Sequence, residues 1–333
     1  MNTILSYIRD FFHRVDKWLL YGCALFVAAL VTCNYTLHIE TGWLYSIPRG
    51  WSRFGGFFAL YALAFIVPWL LLLWRKSGDV KRETADVNRA SSRFAGSAHA
   101  SHLTFHGSGL FWLLLILAPA LFALKVSFPG LSGLFDQQLQ PPWDKYYSIV
   151  TNLPSRLVLV AIPLALLWRL QPSQESFWGL TTRNFQWKPY LLMLLAMAPL
   201  IVFASTQGDF LAAYPKVKQV AFIEPYVQHA WPYRLLFEMS YGLDFVTIEL
   251  FFRGFLVFAF VRYAGPDAIV PMAAFYCSIH FGKPLFECIS SFFGGMLLGI
   301  VSYRTRSILG GFMVHVGIAW MMELGGYIGN ARH

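Results

Sequence analysis

Five ionisable side chains in the last third of the chain could act together. Asp244, Glu249 and Arg253 fall in one apolar stretch, His280 closes the next, and His315 lies in the last. An ionisable group inside an apolar span is costly, and is a functional candidate for that reason. Glu249 and Arg253 are four residues apart, so a helix puts them one turn apart on one face, where they can pair. Such a pair lowers the cost of burying either charge, and the arginine can hold the glutamate in one rotamer. A glutamate and a histidine can share a water and take its proton, while a second histidine donates to the oxyanion forming on a scissile carbonyl. The same residue types also make buried polar networks that join helices, and spacing alone leaves both open.

The elements that hold these residues must be membrane spans. Of the 333 residues, 57% are apolar and 13% charged, against roughly 25% charged in soluble domains. Mean hydropathy is +0.52. So much apolar surface excludes a soluble enzyme, a disordered chain and a disulfide scaffold. The apolar residues run continuously, without the alternation of a membrane β-barrel. The expectation is an all-α, polytopic integral membrane protein of eight or nine transmembrane helices, at 18–39, 54–74, 109–124, 147–168, 190–206, 235–261, 268–281, 288–303 and 308–322. Residues 1–17 set Ile4, Leu5, Ile8, Phe11, Phe12 and Val15 against Arg9, Asp10, Arg14, Asp16 and Lys17, the pattern of an amphipathic interfacial helix. Residues 18–206 then form an N-terminal transmembrane region with a polar loop over 75–108, and 207–333 a C-terminal transmembrane region.

The net charge of +9 sits mostly in short loops, richer in Lys and Arg on the side of the N-terminus. That bias predicts a cytoplasmic N-terminus, in a plasma (inner) membrane. No basic tract interleaved with aromatics lies outside the spans, so no nucleic-acid partner is expected. Cys23, Cys33, Cys277 and Cys288 form no CxxC pair and read as small buried hydrophobes. Cys277 and His280 are too deep in an apolar span to favour a thiolate nucleophile. His99, His102 and His106 stand in a Ser/Ala-rich stretch without acidic or Cys neighbours and read as solvated loop, not a zinc site. Gly294, Gly295 and Gly299 read as close helix packing.

The order of these residues resembles one family. Glu249-Leu-Phe-Phe-Arg253-Gly254 resembles the first motif, EExxxR, of the CAAX-protease and bacteriocin-processing (CPBP, or ABI) family. Tyr276-Cys-Ser-Ile-His280 resembles its second, FxxxH, with Tyr for Phe. Phe293 to His315 resembles its Gly-spaced helix, its Tyr-x-Arg-Thr-x-Ser link and its final His helix. The likeness runs over 244–319, and residues 1–230 carry no such signature. It implies an intramembrane endopeptidase related to the type II CAAX prenyl endopeptidase, with the bilayer and a membrane-associated protein or peptide substrate as partners. It further implies that Glu249 and His280 activate water, that Arg253 orients Glu249 and that His315 stabilises the oxyanion. Family members are sometimes labelled metalloproteases; no cofactor or metal is expected here.

Two positions depart from the motifs. Ile248 stands where the first Glu belongs, and Ala319 where the final motif has Asn. Isoleucine takes no proton and alanine donates to no oxyanion. Glu249 could serve as base through a small helix rotation, or Asp244, Glu287 or Glu323 could take over. Alternatively the chain is a degenerate relative that binds a membrane protein without cutting it. A transporter is the alternative of another class, without the repeats or paired broken helices that would support it. Straight spans leave His280 far from His315, so Gly282 and Pro284 are expected to break the chain into a buried turn beside Lys283 and Glu287.

Overall fold

The computed structural model describes residues 2–90, 109–128, 135, 138–170, 176–183 and 185–331. For 2, 3 and 78–90 only the backbone is considered. His99, His102 and His106 lie outside the described residues. Twelve α-helices occur among those described: α1 (Asn2–Arg14), α2 (Lys17–Leu37), α3 (Trp51–Ala90), α4 (Gly109–Ser127), α5 (Trp143–Arg169), α6 (Trp187–Ala204), α7 (Gly208–Ala213), α8 (Trp231–Glu249), α9 (Val257–Ala264), α10 (Ile269–Ser278), α11 (Leu285–Thr305) and α12 (Leu309–Asn330). No strand occurs among the described residues. The protein is an all-α polytopic membrane protein. Six helices, α2, α3 to Ser77, α4, α5, α6 and α11, are by themselves long and apolar enough to cross a bilayer.

The polar loop expected over 75–108 is corrected in its first half, because α3 continues to Ala90. Hydropathy marks where apolar residues stop, not where a helix does. The stretch after Gly78 is rich in Lys, Arg, Glu and Ala, which favour helix. Between α1 and α2 the chain breaks at Asp16, whose carboxylate caps α2 by accepting the N–H groups of Trp18 (2.8 Å) and Leu19 (3.1 Å). The apolar stripe of α1 is buried in the protein at Ile4, Phe11 and Val15, and Asp10 pairs with Arg304 at the end of α11. Cys23, Cys277 and Cys288 are buried as expected, but Cys33 is exposed on α2. In a span, lipid accepts an apolar side chain as readily as a core does, so hydropathy could not separate the two.

The segment 235–261 is one long path with a change of pitch. α8 passes into a π-helical stretch, Leu250–Leu256, and then into α9. α10 has only ten residues, about 15 Å of helix, too short to span. All ten are buried, with α2, α3 and α11 packed around it. An aromatic core surrounds it: Phe275 meets Tyr61 and Phe65 of α3 at 5.4 Å each, and Phe252 of the π-helical stretch at 5.2 Å. Gly299 lets α11 lie on α10, since a Cβ there would come within 2.5 Å of Met272. Gly295 and Gly299 thus pack closely on α10, whereas Gly294 has open space beside it, so the packing expected of all three glycines holds for two.

Candidate active site

The site is assembled where α8, α10, α11 and α12 meet. Glu249 ends α8 and Arg253 lies within the π-helical stretch, a local geometry frequent at functional sites. Gly254 lets that stretch lie against the Trp178 backbone, because a Cβ there would meet the Trp178 carbonyl oxygen at 2.6 Å. Glu249 and Arg253 are both 0% exposed, with Arg253 Nη1 3.2 Å from Glu249 Oε1. This is an ion pair by proximity, since the Arg253 nitrogens make no well-aligned hydrogen bond among the described residues. The guanidinium instead lies over the Tyr276 ring, 4.0 Å from its centroid, a cation–π contact.

The same Glu249 Oε1 is 3.0 Å from His315 Nδ1. A carboxylate only accepts, so Nδ1 carries the hydrogen and Nε2 is left as the acceptor. The Tyr276 hydroxyl stands 3.1 Å from that Nε2 and donates to it. Phe245 packs on the His315 ring at 4.5 Å. The other oxygen of Glu249 makes no hydrogen bond among the described residues, and it fills the space a side chain at Gly311 would need. Neither Glu249 oxygen faces open space.

His280 stands just beyond α10, which stops at Ser278, and Pro284 precedes α11. The break expected at Gly282 and Pro284 is therefore present, but the turn is not buried throughout: Gly282 is exposed and His280 and Lys283 are half-buried. His280 Nδ1 is 3.0 Å from the Tyr276 carbonyl oxygen, so Nδ1–H donates there and Nε2, unlike that of His315, has no hydrogen-bond partner among the described residues. The His280 ring lies 4.7 Å from the Tyr276 ring, and the His315 ring 6.0 Å from it. One tyrosine thus touches both histidines and the arginine. In the second motif Tyr276 stands simply in place of Phe; its hydroxyl is the signal that could have singled it out.

Gly295 makes room for that tyrosine. A Cβ at 295 would come within 2.6 Å of Tyr276 Cδ1, and the ring is hemmed in by Arg253, His280 and His315. Gly295→Leu should therefore destabilise the protein by about 1–3 kcal/mol, the usual cost of overpacking. Thermal unfolding in detergent reads this, and an unchanged midpoint would refute the close approach.

The alternative carboxylates are differently placed. Asp244 pairs with Lys125 of α4 at 2.8 Å. Glu323 accepts the backbone N–H groups of Lys216 (2.6 Å) and Val217 (3.1 Å), and with Glu238 it lines an open groove of about 460 Å³ between α8 and α12. Glu287 alone of the three is paired to the turn that carries His280. It pairs with Lys283 at 3.3 Å and accepts from the Tyr214 hydroxyl at 3.1 Å. Lys283 also donates to the Tyr214 hydroxyl at 3.1 Å. Tyr214 carries no motif signal, because it lies in the segment between α7 and α8. Ile248 and Ala319 are both buried.

A catalytic zinc needs about three protein ligands. No group of three or more His, Cys, Asp or Glu suited to a metal occurs among the described residues. His315 is engaged at both ring nitrogens, and Arg253 adds positive charge beside it. The donor set does not fit a metal.

Fold and site together define a polytopic α-helical membrane protein with a Glu–His–Arg cluster and a second histidine gathered around a buried tyrosine. Residues 231–321, from α8 into α12, match the family model described as type II CAAX prenyl endopeptidase Rce1-like. This segment contains Glu249, Arg253, His280 and His315, and over it the chain is similar to that family. No curated protein and no solved structure matches the chain.

Proposed function

We propose that the protein is an intramembrane endopeptidase that hydrolyses a peptide bond of a membrane-associated protein or peptide. The observation that carries this reading is Tyr276, with the two histidines and the arginine around it. His280 Nε2 takes a proton from water, and Glu287 is the carboxylate near enough to act on the charged ring. The hydroxide adds to the scissile carbonyl. The Tyr276 O–H turns from His315 Nε2 to the oxyanion. The intermediate collapses, the C–N bond breaks, and the amine leaves with the proton held by His280.

In this reading Glu249 is a positioning residue and not the base. Its shared oxygen fixes the His315 ring, which in turn holds the tyrosine hydroxyl at the oxyanion side. Arg253 fixes Glu249 and lies against the tyrosine ring. The cytoplasmic N-terminus suggested by the Lys and Arg bias belongs to the same proposal.

The test is cleavage of a membrane-tethered peptide reporter by purified wild type and Tyr276→Phe. Loss of one oxyanion donor costs about 100- to 1,000-fold in kcat, and phenylalanine fills the same space. Equal cleavage by both would remove Tyr276 from the chemistry. A second reading, a binder without catalysis, is favoured by one observation: Ile248 and Ala319 are apolar where the motifs carry Glu and Asn. It predicts that wild type cross-links to a membrane-protein partner but cleaves no reporter.

A further inference from the structure

The turn carrying His280 is held by residues far outside the family match. Backbone that leaves a helix inside a membrane bundle must find its hydrogen bonds in the protein. Beyond α10 the carbonyls of Phe281 and Lys283 have left the helical pattern, and α2 supplies their partners. Asn34, 3% exposed, donates from Nδ2 to the Phe281 carbonyl oxygen at 3.0 Å. The neighbouring Tyr35 donates its hydroxyl to the Lys283 carbonyl oxygen at 2.5 Å.

Asn34 is itself fixed from its other side. α2 ends at His38 in a left-handed conformation, φ +49°, and the chain folds back through a π-helical turn, Ile39–Leu44. This brings the Glu40 N–H to Asn34 Oδ1 at 3.0 Å. Both ends of the Asn34 amide are thereby used, so its orientation is determined. The Glu40 carboxylate is buried and lies against Gly282, where a Cβ would sit 3.2 Å from its Oε1. The turn is thus contacted at three successive residues, Phe281, Gly282 and Lys283. Its orientation sets where His280 Nε2 points and where Lys283 meets Glu287.

We propose that Asn34, Tyr35 and Glu40 are positioning residues for His280, and that the N-terminal region therefore builds part of the site. The inference rests on His280 as the proton acceptor.

The test uses the full chain in detergent with Tyr35→Phe, which keeps the ring and its packing, and Asn34→Asp, which keeps the acceptor for Glu40 but loses the donor to Phe281. Three quantities are measured: amide hydrogen exchange over 279–284, the rate of carbethoxylation of His280 by diethyl pyrocarbonate with His315 as internal control, and kcat and KM on the tethered reporter. Exchange over the turn should rise about fivefold in each variant. The His280 rate should change while that of His315 does not. kcat should fall about tenfold to a hundredfold with KM little altered, as for a misplaced reacting group. Unchanged exchange and unchanged His280 reactivity in both variants would overturn the clamp. Raised exchange with unchanged kcat would overturn the positioning role. If wild type cleaves no reporter, the endopeptidase reading fails by itself, and exchange with carbethoxylation still decides whether the turn is held from α2.

Discussion

His280→Ala should abolish cleavage of a membrane-tethered reporter to within detection while leaving a folded protein. Positioned proton transfer contributes about 10²- to 10⁴-fold, and no second group presents a free acceptor nitrogen from this turn. Among the described residues the ring's hydrogen bond runs from Nδ1 to the Tyr276 carbonyl oxygen at 3.0 Å, while the turn itself is held by Asn34 and Tyr35. Removing the imidazole therefore leaves the backbone restrained. The expected signature is a large fall in kcat with an unchanged thermal midpoint. His315→Ala differs in kind, since it strips the partner at 3.0 Å from the fully buried Glu249, and should lower both activity and stability. If His280→Ala cleaves within a few-fold of wild type, His280 is not the base.

Much of this is legible in the sequence, for physical reasons. Bilayer spans need continuous apolar runs, so the helices follow from hydropathy. The few charges inside those runs are conspicuous because burying them is costly. Gly282 and Pro284 announce a break because of their backbone constraints, and the break brings His280 and Lys283 to the site. Other features left no local trace. α10 looks like an ordinary short span; its complete burial depends on α2, α3 and α11 closing around it. The choice of His315 as the partner of Glu249, 66 residues away, is made by helix packing. Asn34 and Tyr35 meet the turn across 247 and 248 residues, and a single polar residue in a span gives no hint of its partner. Glu249 looked like a base because its residue type can be one. Its two oxygens, one shared and one packed on Gly311, favour a different role.

The second large effect concerns the stability of that buried pair. Arg253→Met should destabilise the protein by about 3–5 kcal/mol, the cost of leaving a buried charge without its partner. Glu249 would keep His315 at 3.0 Å but lose the guanidinium beside it, at 3.2 Å. Methionine is shorter but fills the apolar part of the space, so the loss is chiefly electrostatic, with a smaller share from the contact over Tyr276 at 4.0 Å. Glu249→Gln with Arg253→Met removes both charges and should recover most of the stability, because replacing both members of a buried pair is often close to neutral. The double variant should not recover cleavage, since glutamine holds His315 by a weaker, uncharged bond. Thermal unfolding in detergent, read beside reporter cleavage, separates the two roles. A single variant as stable as wild type would mean that the carboxylate finds compensation without Arg253. A double variant that cleaves like wild type would mean that the charge on Glu249 does not serve the chemistry at all.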